Sequence, residues 1–299
     1  MLSTPLVLDF YLSTKYALVV SYIGTDYLGW QKQLGEGLSI QGVLEGVLRH
    51  LGCTSSVVGS GRTDRGVHAV GQVAHIIMPK RWDAGQLLRA CNTLLPWSIR
   101  IIRVIEVDMA FHAQRSALTK QYSYYFQQGP APVAHLVPST RWIAKKLDCD
   151  AMQGALNFLI GEHDFKAFAA RGGAPGKSTV RCILEATVTE TPIPFPAYAE
   201  GSLMRIRILG TGFLKQMVRA IVGSLLDIGE GKRPPLAMQQ ILLSKSRDLL
   251  GPTAPARGLW LERVWYPEEF GIHSGMSRAP EKCPLVSDCI PAVPAGDVA

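Results

Sequence analysis

The sequence contains no run of eighteen or more apolar residues, so no stretch is long enough to cross a bilayer as a helix. Cysteine is sparse and scattered: Cys53, Cys91, Cys149, Cys182, Cys283 and Cys289 form no CxxC pair. That spacing predicts neither a zinc site nor a disulfide framework, and it fits a reducing cytoplasm. The first ten residues, MLSTPLVLDF, are apolar but lack a basic start and are interrupted by Asp9, which argues against a secretory signal. Acidic charge is in the minority. Asp and Glu number 24 against 31 Lys and Arg, a net charge of +7. A basic balance favours polyanionic partners through steering and counterion release. With 47% of its 299 residues apolar, the chain is not a disordered one and can bury a sizeable core.

What is present centres on Gly59 to Ile76, GSGRTDRGVHAVGQVAHI. One acid, Asp64, stands between Arg62 and Arg65, bracketed by Gly59, Gly61, Gly66 and Gly71. Glycine permits positive φ and close approach of another chain. The run from Val73 to Met78 reads as a strand, which puts Asp64 on a tight loop feeding a buried strand. The pattern alone leaves two readings, a solvated turn with surface ion pairs and a reactive site. The stretch has neither GxxxxGK[ST] nor GxGxxG spacing, which disfavours a phosphate loop. His68 and His75 stand seven apart with no further ligand beside them, which disfavours a metal. A phosphoryl-accepting aspartate wants a second acid two residues on, and that position is Gly66.

The chain order predicts an α+β fold. A strand is expected at Tyr16–Ile23, then a turn and Trp30, an aromatic expected in the core. Ser39 caps a helix to about Leu51, with Val43, Leu44, Val47, Leu48 and Leu51 on one face and Arg49 and His50 in the last turn. A helix at about Ala84–Leu95 stops at Pro96, and a strand follows at Ile99–Val107. Lys120–Gln127 is a strand with Tyr122 and Tyr124 on one face. A helix near Cys149–Ile160 is capped by Asp148 or Asp150. ARGGAPGKS, Ala170 to Ser178, is a loop carrying Arg171 and Lys177, either plain surface or a basic flap over phosphates. Arg181–Thr191 and Ser202–Leu209 read as paired strands. Phe213–Ile228 is the clearest helix, with Leu214, Met217, Val218, Ile221, Val222, Leu225 and Leu226 apolar and Arg219 beside them. That arginine either snorkels to water or, if drawn inward, needs an anion. A short helix near Leu236–Leu243 and a strand at Leu259–Tyr266 follow. The organisation expected is an arm at 1–14, halves at 15–113 and 114–268, and a loose tail at 269–299.

GRTDRGVH resembles the GRTDAGVH motif of the TruA family of tRNA pseudouridine synthases. So do GWQKQ at Gly29–Gln33, FHA at Phe111–Ala113, KQYSYYF at Lys120–Phe126, GEHDFKAF at Gly161–Phe168, GTGFLKQMVRAIVGSLLDIG at Gly210–Gly229 and GLWL at Gly258–Leu261. These lie in the family's order across residues 16 to 266. The resemblance implies a pseudouridine synthase fold: two similar α+β halves sharing a mixed, mostly antiparallel sheet flanked by helices, with the active cleft between them. It implies isomerisation of uridine to pseudouridine at positions 38 to 40 of the tRNA anticodon stem-loop, with no cofactor and no metal, by a cytoplasmic homodimer. Asp64 would be the catalytic aspartate, Tyr122 the aromatic under the target base, and Arg219 the basic partner of the acid. Arg62, Arg65, Arg171, Lys177 and Lys215 are the candidate RNA contacts. The family pattern usually has Ala where Arg65 stands. A non-catalytic RNA-binding module is the main alternative, and it would not need the Asp, Tyr and Arg trio.

Overall fold

The computed structural model describes residues 13–33, 37–79, 82–170, 172, 176, 178–193 and 200–272. Expectations for the remainder of the arm, for Arg171 and Lys177, and for most of the tail lie outside the described residues. The chain divides into two compact units. The first holds residues up to Ser123, Ala134–Arg141 and the segment from Pro255, and the second holds Tyr124–Val133 and Trp142–Ala254. Residues from Pro255 to 268, grouped by sequence order with the C-terminal half, therefore belong to the first unit.

In the first unit, strand β1 (Ser13–Tyr22) lies between β3 (His68–Pro79) and β4 (Ile99–Val107), antiparallel to both. β2 (Val58–Gly59) pairs with β3, and β10 (Leu259–Trp265) joins β3 in parallel, which makes the sheet mixed. β5 (Thr119–Gln128) follows β10 in the strand order and runs on into the second unit. β1 begins inside the expected arm because Ser13 and Thr14 pair with Pro79 and Met78. Helix α1 (Ile40–His50) starts where Ser39 Oγ accepts the Gly42 N–H at 3.1 Å and buries Ile40, Leu44 and Leu48. Val43, Val47 and Leu51 are only half-buried, so the apolar stripe is narrower than the periodicity implies. Helix α2 (Ala84–Leu94), capped by Asp83, buries Leu87 and Cys91 and packs against β4.

In the second unit, β5 neighbours β9 (Ser202–Gly210), which pairs antiparallel with β8 (Val180–Pro192). β8 pairs antiparallel with β7 (Gly161–Asp164), while the short β6 (Arg141–Ile143) pairs with β5. Helix α3 (Cys149–Asn157) is capped by Asp148 and lies against β8 and α4 (Met217–Gly229), and α5 (Leu236–Ser244) touches α3. α4 starts later than its apolar periodicity predicts. Gln216 has φ 60°, a left-handed conformation that breaks the helical path, so Phe213 to Gln216 form a loop leading into it. α4 is buried almost all round rather than along one stripe. Gly223 is why it can sit so deep. A Cβ there would stand 1.9 Å from the Pro252 carbonyl oxygen.

Among the described residues, Cys53, Cys91 and Cys149 are free thiols.

The cap at α1 gives a direct test. Ser39→Ala removes the acceptor for the Gly42 N–H and is expected to cost about 1 kcal/mol of stability, read as a lower denaturant midpoint at unchanged slope.

Candidate active site

The loop between β2 and β3 is held on several sides within the first unit. Gly59 leaves no room for a Cβ, which would stand 2.5–2.7 Å from ring atoms of Trp30. Trp30 is 2% exposed, so the expected core role for this aromatic holds. Its backbone N–H donates to the Thr63 carbonyl at 3.1 Å, and Gly29, at φ +99°, lets that carbonyl approach. Tyr22 and Thr63 join hydroxyl to hydroxyl at 2.9 Å. At the far end, Gly24 faces the Val67 carbonyl so closely that a Cβ would lie 2.0 Å from the oxygen. The near end is tied through Gln72. It accepts from Ser60 Oγ at 2.6 Å and donates to the Gly61 carbonyl at 2.9 Å.

Between these fixed ends the chain turns at Asp64–Val67. The Val67 N–H donates to the Asp64 carbonyl at 3.1 Å and Gly66 takes φ +76° at the third position, as a type II turn requires. β3 starts at His68, five residues before the strand expected from composition. Gly71 is thus a strand residue, small because the Glu262 carbonyl oxygen would stand 2.1 Å from its Cβ. The turn presents Asp64 half-buried, with Arg62 and Arg65 exposed on either side.

Tyr122, from β5, is buried and belongs to the same unit as Asp64. Burial raises its phenol above the ordinary range, and Tyr22 and the Asp64 carboxylate add to that rise. Its hydroxyl therefore stays protonated at neutral pH and serves as a donor rather than a base. The acid and the aromatic singled out by sequence thus share one electrostatic neighbourhood. Arg219 lies in the second unit on α4, half-buried, with its Nε donating to the Ala254 carbonyl at 2.8 Å. Lys215 is exposed in the loop before α4.

Sequence reasoning gave Tyr22, Thr63, Gln72, His68 and Lys120 no part in the site. His68 is fully buried, accepts the Gly24 N–H on Nδ1 at 3.1 Å and so carries its proton on Nε2, which faces the Arg257 carbonyl at 3.1 Å. Its ring stacks on Trp260 at 4.5 Å. Burial lowers its pKa, and both nitrogens are committed to the backbone, so the ring serves as a brace for the turn. His75 is likewise engaged, its Nδ1 accepting the Ala113 N–H at 3.1 Å. The signal was present in both cases: a histidine among apolar strand residues is usually satisfied by backbone. Among the described residues, no helix is long and apolar enough to cross a membrane.

A family model described as tRNA pseudouridine synthase matches residues 18–114 and 155–267. The chain belongs to the tRNA pseudouridine synthase family. It is 40% identical over 258 residues to the tRNA pseudouridine synthase A of Geobacillus kaustophilus, covering 86% of this chain and 96% of that one. It is 41% identical to the protein of that name from Chlamydia muridarum, across 87% of this chain and 94% of that one. The Thermus thermophilus protein of the same name is 38% identical, across 84% and 96%. As a member of this family the chain is an isomerase, and the Asp64 turn falls within the matched residues, while Tyr122 lies between the two matched stretches.

The buried histidines set a pH dependence of stability. Burial, followed by the charges of Lys15, His112 and Arg115, pushes His75 down to about 4. The unfolded chain takes up this proton near the ordinary value of about 6.5, while the folded chain does not until about 4. The stabilisation is therefore complete above pH 6.5 and is lost as pH falls towards 4, by at most about 3 kcal/mol. Denaturation midpoints across that window should fall less steeply in His75→Gln than in the parent.

Proposed function

We propose that the protein converts uridine to pseudouridine at positions 38 to 40 of the tRNA anticodon stem-loop, with Asp64 as the catalytic carboxylate. Family membership supports the reaction and the tRNA substrate. The observation that carries the assignment of Asp64 is its place on a clamped turn, with buried Tyr122 close enough to feel its charge. The reaction breaks the N1–C1′ bond, turns the uracil, and joins C5 to C1′. N1 gains a proton and C5 releases one, so the conversion is an isomerisation without net redox change. Three first steps suit the carboxylate: attack on C1′, attack on C6, or removal of the C2′ proton.

Each residue has a physical task in this reading. A uracil that must be reached inside a stem is first extruded, and Tyr122 offers it a ring to stack on. The Tyr122 hydroxyl, protonated at neutral pH, donates to the base or sugar. A base filling the site would desolvate Asp64 and favour its neutral form, and Arg219 is assigned the opposing charge that keeps it ionised. Arg62, Arg65 and Lys215 are exposed cations suited to phosphates, with Arg171 and Lys177 assigned the same task. Recognition of neighbouring uridines by one enzyme fits contacts to backbone and shape, because the A-form major groove is unreadable to side chains. The resemblance also supports a homodimer acting in the cytoplasm.

Tritium release from tRNA carrying 5-³H-uridine tests the assignment. The parent should release tritium, and Asp64→Asn should be slower by more than about a thousandfold. The isosteric change should leave the protein folded, read as a cooperative melt like that of the parent. Equal release by both proteins would overturn the choice of Asp64. Lost stability with intact turnover would return the turn to a structural role. In the same assay Tyr122→Phe, which keeps the stacking ring, should retain clearly more turnover than Tyr122→Leu.

A further inference from the structure

Lys120 is the second residue of β5 and lies two positions before Tyr122, on the same face of the strand. Its Nζ donates to the Ser60 carbonyl at 2.6 Å. The same atom would stand 3.0 Å from a Cβ on Gly61. Burial lowers its pKa to about 8, and no neighbouring carboxylate offsets that cost. Among the described residues the ammonium meets a backbone carbonyl rather than an acid. A half-buried cation held by a backbone carbonyl adds little to stability, so stability alone does not explain it. Its position explains it better. Ser60 and Gly61 are the last residues before Arg62, Thr63 and Asp64. Three of their other groups are fixed: the Ser60 N–H donates to the Val73 carbonyl at 2.7 Å, and Gln72 holds the Ser60 hydroxyl and the Gly61 carbonyl. The Ser60 carbonyl is a further handle, and Lys120 takes it.

We propose that Lys120 is a positioning residue that ties the Asp64 turn to the strand carrying Tyr122, fixing the acid relative to the aromatic on which the target base stacks. This rests on the assignment of Asp64 and Tyr122 above. A single strand thus supplies both the stacking ring and, two residues earlier, the strap on the turn bearing the acid. Gly61 lacks a side chain because the ammonium passes beside it.

The test is single-turnover and steady-state tritium release with the full-length protein. Lys120→Met should lower kcat by about a hundredfold, the scale of loss from misplacing a reacting group by about 1 Å, while the KM for tRNA and the melting temperature change little. Lys120→Arg, which keeps a cationic donor, should recover a large part of kcat. Gly61→Ala reaches the same contact from the other side. Its Cβ meets only the flexible end of the lysine, so the fold is kept while the ammonium is displaced. It should lower kcat in the parent and add little on a Lys120→Met background, because both act through one contact. Parental kcat in Lys120→Met, or a loss confined to KM, overturns the inference. So does full additivity of the two substitutions. If Lys120→Met fails to fold, the Gly61→Ala and Lys120→Arg kcat values decide alone. Asp64→Asn separates the two levels. If it retains turnover, the assignment of the acid fails. If it is inactive while Lys120→Met and Gly61→Ala are parental, only the positioning role fails.

Discussion

The structure of the first unit turns on how one short piece of backbone, Ser60 to Val67, is held. A loop carrying a carboxylate towards a substrate has its polar backbone exposed to competition from water, and its position is only as good as its fixed points. Here the fixed points are carbonyls. Thr63 is met by the Trp30 N–H, Val67 abuts Gly24, Gly61 is met by Gln72, and Ser60 by Lys120. The four partners come from three parts of the chain: the segment after β1, strand β3 and strand β5. The glycines at 24, 29 and 59 have a shared reason. They let rigid backbone or an indole ring press directly on the turn or the strand feeding it, and any side chain there would push it away.

This arrangement separates holding from reacting. Apart from the Lys120 ammonium on the Ser60 carbonyl, the side of the turn facing the protein is made of neutral hydrogen bonds and packed rings, with Tyr22 on Thr63 and His68 stacked on Trp260. Burial disfavours ionisation on that side. It raises the phenols of Tyr22 and Tyr122 and lowers the imidazole of His68. The charged groups face outward, with Arg62 and Arg65 exposed and Asp64 half-buried between them.

Much of this was legible in the sequence, and the gaps have physical causes. Local signals served well. Ser39 as a cap, Asp148 as a cap, the Ile99–Val107 strand and the Arg181–Thr191 with Ser202–Leu209 pairing are set by short-range patterns, and the structure has them. What failed was set at long range. The start of β3 was placed late because Gly71 and His68 read as loop residues, and only contact with Glu262 and the bracing by Gly24 and Arg257 make them strand residues. The start of α4 was placed early because an apolar pattern continued through Phe213 and Leu214, while the left-handed Gln216 cannot be read from it. The return of β10 beside β3 depends on chain topology that no local window holds. At the candidate site, the acid and the aromatic are proposed from motif resemblance, whereas the residues that hold the turn are visible only in the fold. Gln72 and Lys120 are ordinary polar letters until the fold places them against bare carbonyls.

The identity of those holding residues also bears on Arg65. The family pattern has Ala at this point, so the site does not need a cation there. The turn explains why it tolerates one. Arg65 occupies the second position of a type II turn whose third residue is Gly66, and its side chain leaves the turn for solvent without touching the carbonyls that fix the loop. A charge added at such a point changes the field met by an approaching polyanion while leaving the floor of the site as it was. By the same logic a charge added at Gly59 or Gly61 would not be neutral, since those positions face Trp30 and the Lys120 ammonium. Variation in this loop is therefore expected to concentrate on its outward positions, where RNA affinity can be tuned independently of the placement of Asp64.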